Sequence, residues 1–249
     1  MKKVLLIIVI VIVAVILGVV LYLGYLGFIP GLSSLFGSDK PRDLGVTWTA
    51  QDYATAHAAT KVEVKTTEIT ATESAAQTPG ETLKLSGSHP AQVTMSSSEL
   101  TSVINTNSGN WKYFPVSNVQ VKINTDGSAQ MSGLLNLDRF AGYAAATGVS
   151  YSDVKVVMDK FGLLPQAVPF YISATPSVTN NIASMNIGKA ELGRASVPQN
   201  LISENAGAIN GFFTQQLNAF PGFSAKSANF NGGKLNFDGT LTDVIETIK

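Results

Sequence analysis

The chain has 249 residues, with 17 basic side chains, 17 acidic side chains and no cysteine. The lack of cysteine excludes disulfide bonds, thiol chemistry and cysteine-bound metal ions. Beyond the first 29 residues the chain carries 15 basic and 17 acidic side chains, and this balance provides no basic surface for nucleic acid.

The N-terminal segment predicts a membrane anchor. Residues 4–29 contain no charged side chain, and about 20 apolar residues are enough to cross a bilayer as a helix. Lys2 and Lys3 precede this segment, so the positive-inside rule places the N-terminus in the cytoplasm and the rest of the chain outside it. Tyr22 and Tyr25 near the end of the segment are typical of an aromatic belt. The alternative, a cleaved signal peptide, requires a shorter apolar core and a small-residue cleavage site, neither of which is present.

Composition divides the chain into three parts. Residues 1–29 are the anchor, and residues 30–43 are rich in Gly, Ser and Pro, which is typical of a short stalk. Residues 44–249 follow as one extracytoplasmic domain. Its plentiful Thr, Ser, Asn and Gly and its sparse charge favour strands and tight turns mixed with helices.

Five helices are expected in this domain. A capping box, or its Asp variant, begins three of them: Thr49 with Asp52 before residues 53–59, Ser96 with Glu99 before residues 100–104, and Ser150 with Asp153 before residues 154–161. The fourth covers residues 137–147 and ends at Gly148, and the fifth covers residues 199–218.

Alternating apolar residues predict strands in three places: within residues 61–70, around Val119, Val121 and Ile123, and around Leu235 and Phe237. Residues 124–127 and 231–233 contain Asn, Asp and Gly, which tolerate positive φ, so both segments predict hairpin turns.

The two hairpins belong to longer segments that resemble each other. Residues 96–135 and 199–241 both have the order helix, strand, tight turn, strand, and the dipeptides Phe114-Pro115 and Phe220-Pro221 precede the strands at an offset of 106 positions. Two interpretations stay open: an internal duplication, or the general likeness of hairpins with glycine turns.

The sequence contains no recognisable catalytic or metal site. His57 lies among alanines and His89 lies between Ser and Pro, and neither has a second ligand at metal-binding or catalytic spacing. The G-x-S-x-G pattern of hydrolases is missing. We therefore expect no enzymatic activity, no bound metal and no cofactor.

The fifth helix provides the candidate ligand site. An apolar stripe runs along it: Ile202, Ile209, Phe212, Phe213 and Leu217. Such a stripe facing a curved sheet can line a groove for an apolar ligand. In the alternative interpretation the same stripe is simply the face by which the helix packs into the core.

The C-terminal part of the chain also carries a family resemblance. Ser196-Val197-Pro198 leads into a helix, Phe220-Pro221-Gly222 follows it, and residues 233–239 have the pattern G-x-L-x-F-x-G. This arrangement resembles membrane-anchored bacterial extracytoplasmic proteins of the YpmS type, and it is similar to exported lipid-binding proteins with repeated helix and strand units. The resemblance implies an α+β fold in which helices lie on a curved antiparallel sheet, and a non-enzymatic role at the cell envelope.

Two functions are compatible with these features. The first is a membrane-anchored extracytoplasmic domain that binds a lipid or another apolar envelope ligand. The alternative is a structural or protein-interaction module of a cell-envelope complex without a small-molecule ligand. The expected partners are the membrane, through the N-terminal helix, and a lipid or an envelope protein.

Overall fold

The computed structural model describes residues 2–69, 78–148 and 166–249. The helix expected at residues 154–161 lies outside these ranges. The α-helices of the described residues are α1 (Lys2–Tyr25), α2 (Leu32–Leu35), α3 (Ala50–Thr60), α4 (Ser97–Asn110), α5 (Phe140–Thr147), α6 (Gln199–Glu204) and α7 (Ala206–Ala219). Short 3-10 turns cover Pro79–Thr82 and Leu137–Arg139.

The strands fall into a large and a small sheet. They are β1 (Glu63–Thr67), β2 (Leu83–Ser86), β3 (His89–Met95), β4 (Val116–Ile123), β5 (Ala129–Asn136), β6 (Ala167–Thr179), β7 (Ile182–Leu192), β8 (Ala195–Ser196), β9 (Ser224–Asn231), β10 (Lys234–Leu241) and β11 (Val244–Ile248). The fold is therefore α+β with several helices on a curved antiparallel sheet, which confirms the coarse architecture expected from the sequence.

Local sequence signals located several helices and turns correctly. The side chain of Thr49 caps α3 and that of Ser96 caps α4, and each closes a capping box with the acid three residues later. Gly148 ends α5 with a φ of 72°. Both expected hairpin turns are present, joining β4 to β5 and β9 to β10, with positive φ at Gly127 and Gly233.

Several expected helix boundaries differ from the observed ones, most clearly in the last helix. The single helix expected over residues 199–218 is broken at Asn205 into α6 and α7, and the side chain of Asn205 donates a hydrogen bond to the carbonyl of Leu201 at 2.7 Å. Asn side chains compete in this way with the helical backbone and favour helix ends. The strand expected within residues 61–70 is present as β1 (Glu63–Thr67).

The large sheet has the order β3-β10-β9-β6-β5-β4, with β7 on the other side of β6 and β8 next to β7. Strand β6 is long enough to pair with β5 through residues 167–174 and with β9 through residues 177–179. Strand β7 pairs with the opposite edge of β6. Strands β5 and β9 therefore pair, one after the other, with the same edge of β6. Register shifts in three of the strand pairs add bends, since a bulge increases local twist.

Helix α4 lies in the concave side of this sheet. Leu100 contacts two buried clusters, one containing Val93 and Met95 and the other containing Val119 and Val121. The clusters lie on β3 and β4, the two outer strands of the sheet order, so one helix fills the space between them. The apolar alternation that predicted a strand around Val119 therefore marks core positions.

A polar stripe on α4 pairs with the free edge of β4. Ser97, Thr101 and Asn105 accept hydrogen bonds from the backbone N–H groups of Ile123, Val121 and Val119 at 2.8–2.9 Å. Asn105 also donates to the carbonyl of Val119 at 2.7 Å, and Ser108 donates to that of Val116 at 2.7 Å.

The spacing of these contacts follows from helix and strand geometry. Four helical residues rise about 6 Å, and two strand residues rise about 6.6–6.8 Å. Every fourth residue of α4 therefore meets every second residue of β4. The edge strand, which would otherwise expose a row of unpaired groups, is closed by side chains.

Helices α6 and α7 close the edge of β7 in the same manner. Asn210 and Thr214 accept hydrogen bonds from the N–H groups of Met185 and Ala183 at 2.8 and 3.0 Å. Gln199 donates to the carbonyl of Ile187 at 3.2 Å. The two segments with the internal similarity thus share helix, strand, turn and strand in the same order, but α4 closes the edge of its own hairpin and α7 closes that of β7.

Helix α1 covers 24 residues, and the structure describes its side chains from Val13 onward. Within the described part of the chain, no helix meets the length and the apolar character needed to cross a membrane.

Replacing Asn105 tests the edge contact. Asn105→Ala leaves the N–H and the C=O of Val119 unpaired at a site where Val119 is 1% exposed. An unsatisfied buried group costs about 1–3 kcal/mol, so we expect the free energy of unfolding to fall by about that amount. Urea denaturation of the full chain in detergent micelles, followed by tryptophan fluorescence, measures the change.

Ser98→Ala on the same helix is the matched control, because the Ser98 hydroxyl makes no hydrogen bond within the described ranges. Equal stability losses in the two variants would contradict the edge contact.

Candidate functional site

The described residues line a partly open cavity at the C-terminal end of α4. Its volume is about 440 Å³. The hydrogen bonds of α4 with β4 run from Ile123, next to the hairpin turn, to Val116, where the strand begins. The cavity therefore lies at the end of the concave sheet away from that turn, and the small sheet covers it there.

The small sheet provides one wall through strand alternation. Its order is β1-β11-β2, with β1 parallel and β2 antiparallel to the central β11. Val64, Ile245 and Leu85 pair across the three strands, and all three line the cavity. Because alternate residues of a strand share one face, Leu83 and Thr247 line the same wall.

Aromatic side chains form a second part of the lining, which also includes Val116 and Leu241. They come from α5, from the end of α4 and from the segments that precede β4 and β9: Trp111, Phe114, Tyr143, Phe220 and Phe223. No described residue that lines the cavity carries a charge. The cavity is thus suited to an apolar group.

Trp111 is fixed at the centre of an aromatic cluster. Its ring lies 5.8 Å from that of Tyr143 and 6.3 Å from that of Phe114, measured between centroids. Its indole N–H donates to the hydroxyl of the fully buried Thr82 at 3.0 Å. With 5% of Trp111 exposed, the hydrogen bond satisfies the polar end of the ring and the cluster holds its apolar body.

Tyr143 connects the cavity to α7. Its hydroxyl donates to Oε1 of Gln216 at 2.6 Å. Burial raises the pKa of Tyr143 to about 12, so the phenol stays neutral and remains a donor at any physiological pH. The neighbouring Gly142 lies against the ring of Tyr113, where a Cβ would come within 2.1 Å of the ring.

The candidate groove residues on α6 and α7 lie elsewhere. Ile202 is buried in a cluster with Ala174 and Ile187, and Ile209 packs against the same cluster. Phe212 and Phe213 are half-buried and meet edge to face at 5.5 Å, and Leu217 is also half-buried. None of the five lines the cavity at Trp111. Their role as ligand contacts stays a prediction.

The cavity does bring together the two Phe-Pro dipeptides of the internal similarity. Phe114-Pro115 and Phe220-Pro221 both line it, although they are 106 positions apart in sequence. The repeated dipeptide is therefore a sequence signal for residues of the site, although its spacing does not show that the two copies meet. The alternating apolar residues at Val62 and Val64 and at Leu83 and Leu85 are a second signal.

His89 has partners that its local sequence does not show. Its Nδ1 lies 2.7 Å from Oδ1 of Asp243, and its Nε2 lies 2.8 Å from the carbonyl oxygen of Thr60. Asp243 is 154 positions away in the sequence, so no local spacing indicates the pair. His57 is exposed on α3, where its ring lies 5.9 Å from that of Tyr53.

Both nitrogens of His89 face acceptors, and only the imidazolium can donate to both. The hydrogen bond with Asp243 and then the one with Thr60 raise the pKa of His89. Because neither nitrogen is left for a substrate, the group ties the end of α3 to the start of β3 and to the link before β11. Nor do the described residues contain a group of three or more His, Asp or Glu that could hold a metal ion.

Comparison of the chain with protein-family models, with curated proteins and with solved structures finds no match. The cavity and the sequence patterns are therefore the features that bear on function.

Titration of His89 should make stability depend on pH. A pKa above the usual value of about 6.5 means that His89 stabilises the fold below that pH and that this contribution disappears as the pH rises through the raised pKa. We expect wild type to have a higher free energy of unfolding than Asp243→Asn. The difference between the two proteins should be larger at about pH 6 than at about pH 9. Urea denaturation of both full-length proteins at the two values measures the difference.

Asp126→Asn serves as the control. Hydrogen bonds from Ser128 lower the pKa of Asp126, so its titration lies outside this pH range and its replacement should act equally at both values. A difference between wild type and Asp243→Asn that is the same at both pH values would show that His89 is not charged in this group.

Proposed function

We propose that the chain is a single-pass membrane protein whose extracytoplasmic domain binds an apolar ligand, such as a lipid acyl chain, in the cavity at Trp111. The observation that carries the proposal is an uncharged cavity lined by five aromatic rings and by aliphatic side chains from three strands of the small sheet. Close-packed interiors contain few voids larger than a water molecule. A cavity of about 440 Å³ therefore fits a binding site better than a packing defect.

The size of the cavity indicates the class of ligand. Pockets for small molecules usually have volumes of about 300–1,000 Å³ and mostly apolar walls. Each methylene group that leaves water for such a site contributes about 0.8 kcal/mol. A chain of several methylene groups would thus gain enough free energy to bind without any charged contact.

Asn107 offers a polar contact at the wall. It lines the cavity, and its buried Oδ1 accepts no hydrogen bond from the described residues. An unpaired buried acceptor costs about 1–3 kcal/mol. A ligand that carries a hydroxyl or amide group beside its apolar part could satisfy this oxygen.

Membrane anchoring rests on the N-terminal sequence. Residues 4–29 lack charge, Lys2 and Lys3 precede them, and the segment up to Tyr25 is a single helix. Tyr22 and Tyr25 are exposed near its end, as expected of residues at a membrane interface. This topology, together with the resemblance to extracytoplasmic proteins of the YpmS type, favours an envelope lipid over a cytoplasmic metabolite.

Two phenylalanine variants distinguish the cavity from the groove expected on α7. Phe220 lines the cavity and Phe213 does not, although both are half-buried. A carboxylate in an apolar site is strongly unfavourable, so Phe220→Glu should weaken binding of a fluorescent fatty acid at least about tenfold, or ~1.4 kcal/mol. Phe213→Glu should bind like wild type. Titration of detergent-free protein comprising residues 39–249 measures both affinities.

Trp111 supplies a second measurement. In a Trp48→Phe background its emission is the only tryptophan signal, and it should shift when the ligand enters. Circular dichroism checks that each variant is folded. Loss of binding in Phe213→Glu alone would assign the ligand to α7, and equal binding by all three proteins would refute the cavity as the site.

A further inference from the structure

The segment after α1 folds back on that helix. The Ser38 hydroxyl donates to the carbonyl of Gly24 at 2.8 Å, and the Ser33 hydroxyl donates to that of Ile29 at 2.7 Å. Both serines are buried, and Gly24 lies against Leu32 of α2. In residues 22–38, called the elbow below, two buried hydroxyls are thus bonded within the segment, although residues 30–43 have the composition of a stalk.

The elbow is also bonded to the folded domain. The backbone N–H of Arg194, in the turn between β7 and β8, donates to the carbonyl of Leu26 at 2.9 Å. The Arg194 guanidinium donates to the carbonyl of Gly37 at 2.9 Å. At Gly193 a Cβ would come within 2.0 Å of the Leu26 oxygen, so the glycine permits this close approach.

A second attachment follows a few residues later. Arg42 forms an ion pair of 2.5 Å with Glu191, and its guanidinium lies 4.2 Å from the centre of the Tyr171 ring. The Glu191 side chain is 8% exposed and also contacts Lys189 at 2.9 Å. Because the chain is held on both sides of residues 39–41, the domain has a defined orientation relative to the end of α1.

The outer surface of the elbow is apolar and uncovered. Leu35 is 80% exposed, the highest value among the large hydrophobic residues of the described chain, and Phe36, Tyr22 and Tyr25 are also exposed. The rings of Tyr25 and Phe36 meet edge to face at 6.1 Å. The exposed surface is therefore continuous with the end of the apolar helix.

The elbow lies at the same end of the sheet as the cavity. Arg194 lies two residues after Leu192, the last residue of β7, and strand pairing places Leu192 beside the start of β6, the end of β5 and the start of β4. Residues 114–116, at the start of β4, line the cavity. Ile182 marks the opposite end, about 33 Å away along β7.

We propose that the elbow inserts Leu35 and Phe36 into the lipid surface. This insertion orients the domain so that the end of the large sheet next to the cavity faces the membrane. The proposal rests on the membrane anchoring proposed above. The occupant is lipid because the surface continues from α1, and because the buried hydroxyls of Ser33 and Ser38 are paired within the elbow, which avoids the cost of bringing unpaired polar groups into an apolar phase.

Single-cysteine labelling tests this orientation, since the chain has no native cysteine. Leu35→Cys and Ile182→Cys, each carrying an environment-sensitive fluorophore, are compared in the full chain reconstituted in phosphatidylcholine vesicles. Ile182 is the matched control, an aliphatic side chain that is 65% exposed at the far end of β7. We expect quenching by nitroxides on the lipid at Leu35→Cys and only quenching by aqueous iodide at Ile182→Cys.

Two results at Leu35→Cys would overturn the proposal. Iodide quenching equal to that at Ile182→Cys would place the elbow in water, and protection from both quenchers would show that protein, such as a second copy of the chain, covers it. A label at Val15→Cys separates this failure from that of the anchor. Lipid quenching at Val15→Cys with iodide quenching at Leu35→Cys refutes only the elbow insertion, whereas iodide quenching at both refutes the anchoring.

Discussion

The hydrogen bonds between α4 and the edge of β4 are the contact on which the domain depends. An edge strand exposes backbone groups that must pair with something, and here Ser97, Thr101, Asn105 and Ser108 pair with them. The match between four helical residues and two strand residues fixes both the direction and the register of the helix. Apolar packing alone would allow the helix to slide along the concave sheet, because hydrophobic burial is not directional. The polar stripe prevents this movement.

The cavity follows from that constraint. The hydrogen bonds fix the position of α4 along β4, so the C-terminal end of the helix lies beside the start of the strand. Trp111, which follows the helix, therefore lies at the open end of the concave sheet. The helix cannot move further toward the small sheet to fill the space without breaking its bonds to Val116 and Val119. The aromatic side chains around Trp111 border the remaining volume and leave about 440 Å³ open. A void of this size persists because rigid elements are held apart by contacts elsewhere in the fold.

Sequence patterns located the features whose causes are local. The capping boxes at Thr49 and Ser96 and the turns at Gly127 and Gly233 depend on neighbouring residues, and all are present. The break at Asn205 was missed because the same asparagine is tolerated within a helix. The turn at Asn180 and Asn181, both with positive φ, was also missed, although consecutive asparagines tolerate that conformation. The pairing of His89 with Asp243 and the meeting of the two Phe-Pro dipeptides could not be read from spacing, because they depend on how distant strands come together.

The bonds at Arg194 and Arg42 connect the cavity to the proposed anchor. A flexible stalk would let the domain sample many orientations, and a lipid would have to cross water to reach a cavity that faces away from the membrane. Every methylene group exposed on that route costs about 0.8 kcal/mol. Two attachments on β7 and its following turn restrict the orientations and keep the cavity end of the sheet on the side of the elbow. If the elbow lies in the lipid surface, the path of an acyl chain into the cavity is short, and the attachment of the domain directly serves binding.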